Sequence, residues 1–512
     1  MSDSLKQDKN KSVGSGPAII ERFCIKGLHA YRDIEITSKY AATIVIARNG
    51  AGKTTLLGAL DAFLKCQFYR LLEIDFREIS CKLRGVDESL VLTKEDLLQL
   101  STLPEDQELL STAAHYEIDP SALLEFIESD YHSLRTDGRG LYNNPTFYSL
   151  YAKQGYSIQS TKIHIDRIAQ RLSGRCPNID RIRQAIRTVL QGTEIVYLPT
   201  YRRIELSLPE AENRKARKQT SVQEKLGISR HSLYAGEINF GLADISERLV
   251  ALNQEMLIES NQGYREVSAR IIDDLINGNF DQDNINAEKK PSEEDLKLFL
   301  SRIQEGQRIG RFEDTQIPNL ERIYTGENIS PSSERFLNYF LGKLNTVMSK
   351  TRNIERTVED FVKSCNNYLS SQDQSTELAQ KRSRNTQSED DKILSLNRKD
   401  LKVSVTSEKS NRRIPLSSLS SGEKQMISLF ARLHLYSGNK IILIDEPELS
   451  LSIDWQRKIM VDILSSSTCT QAIAITHSPF IFDNDLEPFA TSLKLKIHAN
   501  NLRDEEVEEE EE

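Results

Sequence analysis

Apolar positions along the chain change period several times, and those changes lay out its organisation. Ala18–Ile25 and Asp33–Ile36 are short apolar or alternating runs on either side of Gly27–Arg32, and Thr43–Ile46 is a compact apolar run. All three read as strands, the first two expected to lie beside the third. Phe76–Leu83 and Leu90–Thr93, separated by the turn Arg84–Asp87, read as a hairpin. From about Glu95 to Leu190 the spacing becomes helical, and segments such as Pro120–Ile127 begin with helix-start chemistry. A strand pattern returns at Glu194–Leu198 and runs into Pro199, Thr200, Tyr201, Arg202 and Arg203. Residues 207 to about 370 are again helical and charged, and 370–391 loses periodicity and fills with Ser, Gln, Lys, Arg and Asp. Strand patterns resume at Ile393–Leu396 and Leu401–Val405, followed by a helix over Met426–Tyr436 and apolar strands at Lys440–Ile444 and Gln471–Ile475. No internal repeat is evident. The fold class is therefore α/β, with strand-bearing segments towards both ends of the chain and large helical insertions between.

Chemistry concentrates at the end of the Thr43–Ile46 strand. There Ala47-Arg48-Asn49-Gly50-Ala51-Gly52-Lys53-Thr54-Thr55 leads into the apolar run Leu56–Leu60. Strand, glycine-rich turn and helix together make a phosphate-binding loop, because Gly50 and Gly52 let backbone N–H groups converge on phosphate oxygens at a helix N-terminus. Lys53 is placed to meet β and γ phosphates, and the Thr54 hydroxyl to ligate Mg²⁺. The first glycine of the usual pattern is replaced by Ala47, which matters only if that residue needs positive φ. Tyr31 and Arg32, about twenty residues before Lys53, read either as contacts to an adenine or as exposed turn residues.

Three further groups follow in order. Leu419-Ser420-Ser421-Gly422-Glu423-Lys424-Gln425 opens a helix, either as an anion site or as an ordinary cap by Ser420 or Ser421. Lys440–Ile444 ends in Asp445-Glu446-Pro447-Glu448, two adjacent carboxylates at the carboxyl end of a buried strand. Asp445 suits Mg²⁺, and Glu446 suits the activation of an attacking water. Finally, Gln471–Ile475 leads through Thr476 into His477-Ser478-Pro479, a histidine at a strand end and a candidate γ-phosphate contact.

Composition narrows the setting. The 512 residues carry a net charge of −9, but eight acids lie in the tail from Asp504 to Glu512, leaving the body at about −1. Charge thus neither supports nor excludes a nucleic-acid surface. Arg214, Lys215, Arg217 and Lys218 form a basic cluster that reads as a phosphate-backbone contact or as a solvated face. Six dispersed cysteines and eight scattered histidines show no zinc spacing, so the cysteines read as reduced and the reading is of a soluble, cytoplasmic protein. No run of 18 apolar residues exists, and Met1–Gly16 lacks the apolar core of a signal peptide, which excludes membrane-spanning and secreted classes from the reading.

The four motifs in this order resemble those of the ATP-binding-cassette (ABC-type) ATPases, in particular the soluble branch of chromosome-maintenance and DNA-repair ATPases. The resemblance implies an ATPase head split between two lobes, with Asp445 and Glu446 as the Walker B pair and His477 as the switch histidine. It also implies that Ser420–Gln425, with Ser420 and Gly422 as cofactor-binding residues, completes the nucleotide site of a second subunit, so that a homodimer or higher oligomer encloses ATP and Mg²⁺. Ser452 stands where many transporters carry an aspartate, which puts subunit communication in doubt more than nucleotide binding. Asn49–Thr54, Leu198–Arg203, Leu419–Gln425 and Thr476–Pro479 look most similar to the PtuA-type ATPases of Septu and retron-associated anti-phage systems. That implies an antiviral-defence ATPase, its hydrolysis slow and regulatory, which holds a separate HNH-type nuclease, with nucleic acid a further candidate partner and no membrane. The alternative is a DNA-repair or chromosome-organising ATPase acting directly on DNA. Overcoming-lysogenization-defect nucleases share similar motifs but carry a nuclease domain behind them, for which the 35 residues after His477 are too few. The expected organisation is an N-terminal lobe over 15–206 with a helical insertion at about 95–190, a connector over 207–391 containing the flexible stretch at about 370–391, a C-terminal lobe over 392–498 and an acidic tail over 499–512.

Overall fold

The computed structural model describes residues 13–102, 107–127, 131, 144–172, 175–199, 242–277, 290–308, 320, 323–324, 330–370, 392–415 and 418–498. Thr200–Arg203, the basic cluster at 214–218, residues 371–391 and the acidic tail lie outside them. The chain forms two compact units, one of Met1–Asn239 with Gly438–Glu512 and the other of Phe240–Ser437.

The first unit begins with strands β1 (Ile20–Leu28), β2 (Arg32–Thr37) and β3 (Ala42–Ile46), helix α1 (Lys53–Leu64), and strands β4 (Glu78–Leu83) and β5 (Leu90–Thr93). Helices α2 (Lys94–Thr102), α3 (Gln107–Tyr116), α4 (Pro120–Glu125), α5 (Pro145–Lys153), α6 (Ile158–Leu172) and α7 (Pro177–Val189) follow, and then strand β6 (Thr193–Leu198). Local chemistry sets several of these starts. The side chains of Asp119 and Asn144 accept from N–H groups in the first turns of α4 and α5, each with proline in that turn.

The second unit holds the long helices α8 (Leu242–Ile276), α9 (Glu293–Arg308) and α10 (Pro331–Leu369). A small antiparallel sheet of β7 (Lys392–Asn397), β8 (Lys402–Ser407) and β9 (Arg413–Ile414) and helix α11 (Ser421–His434) complete it. The segment 392–437, expected in the C-terminal lobe, packs here. One pair of contacts ties it to α10: Asn366 brackets Leu394 with bonds of 2.8 and 2.9 Å to its N–H and carbonyl, while Lys392 pairs with Glu423 at 2.9 Å within the segment itself. Val267, Phe299, Leu341 and Leu344 contribute to the apolar core among α8, α9 and α10.

The chain then returns to the first unit with β10 (Asn439–Asp445), α12 (Ile453–Ser465), β11 (Cys469–Thr476), β12 (Ala490–Ser492) and β13 (Lys494–Ile497). One sheet has the order β12-β3-β11-β10-β6 with all its pairings parallel, so strands from both ends of the sequence are interleaved in it. Its central strands are apolar on both faces, as a covered parallel sheet demands: Ile441–Ile444 and Ala472–Ile475 are buried throughout. The other sheet has the order β13-β2-β1-β4-β5 and is antiparallel. Here the expectation that β1 and β2 lie beside β3 is corrected. Their tight connection and mixed buried and exposed positions suit an antiparallel hairpin, with Phe23 opposite Ile36 and Cys81, whereas β3 takes parallel partners. Between the sheets lies α1, whose Leu56, Leu57, Leu60 and Phe63 share one core with Phe23, Ile34, Leu443 and Ile475.

Candidate nucleotide-binding site

Three neighbouring parallel strands deliver their carboxyl ends to one place. Ile46 of β3 is in register with Thr476 of β11, and Ile475 with Asp445 of β10. The loops leaving these ends carry Asn49–Thr55, Glu446–Glu448 and His477. Carboxyl ends of parallel strands are where open α/β sheets bind ligands, since turns and helix N-termini converge there.

The phosphate loop is built by its backbone. Gly50 and Gly52 have φ of 81° and 84°, the left-handed region that glycine enters without steric cost. A Cβ on Gly52 would also stand 2.9 Å from Ile34 Cδ1, so that position is closed to other residues twice over. Ala47 does not take positive φ and is buried, its N–H donating to the Thr476 carbonyl at 3.1 Å, which answers the question its Cβ raised. No side chain caps α1 and no acid occupies its first turn, leaving N–H groups at that end for an anion. Ala51 and Thr55 take their places in this loop and in the first turn of α1.

Side chains from the two ends of the sequence meet over this loop. Lys53, buried, places its Nζ 2.6 Å from Glu446 Oε1 and 3.2 Å from Asn49 Oδ1. Thr54 Oγ1 donates to Asp445 Oδ2 at 2.5 Å, and Asp445 is fully buried. Glu446 itself has φ of 52°, a strain of order 1–3 kcal/mol for a side-chain-bearing residue, and its N–H donates to the Ile475 carbonyl. That turn carries the Glu446 carboxylate to Lys53 while Asp445 remains on the strand facing Thr54. A hydroxyl and a carboxylate oxygen side by side form a hard-oxygen pair that fits Mg²⁺.

A profile of the AAA ATPase domain family matches residues 19–482, a span that contains every group just described. The chain belongs to that family. A search of curated proteins finds no match. Among solved structures, the chain is similar to the Smc head domain of Pyrococcus furiosus, solved with an extended coiled coil and bound to the C-terminal domain of ScpA. The identity is 13%, the TM-score 0.33, and the alignment covers 93% of this chain and 96% of that one. At so low a TM-score the architecture rests on the strand order given above.

Other expected residues of this AAA ATPase fall as follows. His477 stands at the end of β11 with its side chain half exposed. Arg32 lies over the phosphate loop, donating to the Gly50 carbonyl at 3.1 Å with its guanidinium 5.2 Å from the Tyr31 ring centre. This favours a site position for that pair over a plain turn. Ser420 and Gly422 belong to the second unit, where Ser420 caps α11. Its hydroxyl accepts from the Glu423 N–H at 3.3 Å, and Glu423 Oε2 accepts from the Ser420 N–H at 2.7 Å. Burial raises the Glu423 carboxyl's pKa, but Lys392 and the Ser420 N–H outweigh that and hold it below its ordinary value. Sequence reasoning assigned no role to Glu448. It is a buried carboxylate that receives bonds from Thr476 and His477, and the signal available was a third acid directly after Glu446-Pro447.

Proposed function

We propose that this AAA ATPase binds ATP with Mg²⁺ and hydrolyses it, as the ATPase subunit of an anti-phage complex that holds and regulates a separate HNH-type nuclease. The observation that carries the ATPase reading is the convergence of Lys53 and Thr54 with Glu446 and Asp445 across the ends of β3 and β10. Lys53 would bind the β and γ phosphates, and Thr54 and Asp445 would hold Mg²⁺. Bound there, Mg²⁺ supplies Lewis-acid neutralisation of phosphate charge. Glu446 orients the attacking water and takes its proton. His477 contacts the γ-phosphate region, and Ser420 with Gly422 serves the nucleotide of a second copy in a head-to-tail homodimer. The defence role is supported by the likeness of Asn49–Thr54, Leu419–Gln425 and Thr476–Pro479 to PtuA-type ATPases. In that setting the protein is cytoplasmic, and no described helix is long and apolar enough to cross a membrane.

The test is to purify the chain alone and with its genomic neighbours. The reading expects Mg²⁺-dependent ATP hydrolysis by the chain, a stable complex with an HNH protein, and nuclease activity that needs that partner. Cleavage of DNA or RNA by the rigorously purified chain, abolished by a mutation in this chain, would overturn the division of labour. A DNA-acting repair or chromosome-organising ATPase is the second reading, favoured by α8 and α10, paired helices of 35 and 39 residues. Hydrolysis by the isolated chain that rises on adding duplex DNA would select it.

A further inference from the structure

We infer that Glu448 is the positioning residue for His477, fixing which ring nitrogen the imidazole turns to the nucleotide; the inference rests on the ATPase reading above. Glu448 is the acid that neither holds the Mg²⁺ pair nor faces the water in that reading. Its side chain is only 6% exposed, and both of its oxygens are engaged by the end of β11. Oε2 accepts from Thr476 Oγ1 at 2.7 Å. Oε1 accepts from the His477 N–H at 3.0 Å and lies 2.7 Å from His477 Nδ1.

The chemistry of that last contact is directional. A carboxylate can only accept, so a proton sits on Nδ1, and Nε2 is the nitrogen turned away from Glu448 to meet another group. The same carboxylate fixes the backbone on which the ring is mounted, through the His477 N–H and through Thr476, which is fully buried. Thr476 Oγ1 in turn accepts from the Ser478 N–H at 2.9 Å, and Ser478 Oγ donates to Gln456 of α12 at 2.8 Å. Gln456 closes the loop by donating to the carbonyls of Glu448 at 3.3 Å and Leu451 at 3.0 Å. His477 is thus the exposed tip of a bonded ring of side chains, and Glu448 is the member that touches its imidazole.

The experiment has two arms. In the first, ¹⁵N NMR of the His477 ring in the full chain reads the tautomer directly: the protonated-Nδ1 form should dominate, and Glu448→Gln should reduce it. In the second, Glu448→Gln should keep ATP affinity while kcat falls about tenfold, and the same change in a His477→Ala background should cost nothing further in kcat. Should Glu448→Gln not fold, Glu448→Asp retains the charge and withdraws it by one methylene, with the same outcome expected. An unchanged tautomer in the folded variant, or an undiminished kcat loss in the His477→Ala background, would overturn the inference. The ring measurement needs no turnover, so it decides the role of Glu448 even if the chain proves not to hydrolyse ATP.

Discussion

The ammonium of Lys53 lies 2.6 Å from the Glu446 carboxylate, although 393 residues separate them along the chain. The contact joins the loop after the first strand of the parallel sheet to the turn after the third of its strands in chain order. Under the proposed function, the charge that would bind phosphate and the charge that would activate water neutralise each other here, and an incoming γ-phosphate would compete with Glu446 for Lys53 and release the carboxylate.

Replacing Glu446 by Gln keeps the size of the side chain and removes its basicity. ATP and Mg²⁺ binding should be retained, or tightened as Lys53 loses its ionic partner, while hydrolysis slows by on the order of 10²-fold or more. Calorimetric ATP binding beside phosphate release checks this. Undiminished turnover would remove Glu446 from the role.

Lys53→Ala should act on the other side of that pair. Binding itself should weaken by at least about tenfold, because the charge that the proposed function sets against the β and γ phosphates would be gone and Glu446 would face them unneutralised. Titration of a fluorescent ATP analogue measures it, and wild-type affinity would count against the phosphate-loop assignment. Combining Lys53→Ala with Glu446→Gln should recover part of the loss, since the second change removes that repulsion.

Much of this site was legible because its parts are local patterns. An apolar strand, Gly50 and Gly52, and the apolar start of α1 sit within twenty residues, and Asp445-Glu446 ends a run that only a covered strand would carry. What the sequence did not reveal is long-range partnership. Gln471 shows why: its Oε1 accepts from the N–H groups of Ile19 and Ile20 and its Nε2 donates to the Ile20 carbonyl, stitching the antiparallel sheet to β11 across 451 residues. A lone glutamine before an apolar run carries no local sign of such a bond. The separation of β1 and β2 from β3 was hidden for the same reason, since sheet membership depends on partners that arrive later in the chain. Glu448 was visible as a residue but not as a partner of His477.

Acid should loosen the second unit at its ionised bonds. Burial opposes ionisation of Glu355, but Arg302 and Arg398 prevail and hold its carboxyl below the ordinary 4.5, and Glu423 is held below 4.5 in the same direction. A depressed native pKa means that protons bind the unfolded chain more tightly. The stabilisation is therefore fully present above about pH 4.5 and is lost as pH falls from there through the lower native values. Urea melts at about pH 7, 5, 4 and 3.5 should show the midpoint falling mainly below about pH 4.5, and Glu423→Gln should blunt that dependence. An unchanged midpoint down to pH 3.5 would contradict the assignment.

The pairing of α8 and α10 offers a test in which two opposing effects differ in sign. Gly263 lies in the middle of α8, where alanine would ordinarily stabilise a helix by about 1 kcal/mol. Here a Cβ would stand 2.3 Å from Val347 Cγ1 of α10, a distance that real contacts do not reach, and Val347 is buried in the core shared by the two helices. Relief requires moving a packed valine or the helix backbone, and with Cγ1, Cγ2 and Cβ of Val347 all within 3.3 Å of the new methyl the overpacking cost falls in the upper part of about 1–3 kcal/mol and exceeds the propensity gain. Gly263→Ala alone should therefore lower the urea midpoint of the chain. Val347→Ala alone should also lower it, by emptying space at the contact. Combined, the new methyl occupies part of the vacated volume and the helix propensity gain survives. The double variant should then be more stable than the sum of the single losses allows, by about 1 kcal/mol or more. Strict additivity of the two changes would show that α8 and α10 do not meet at this residue pair.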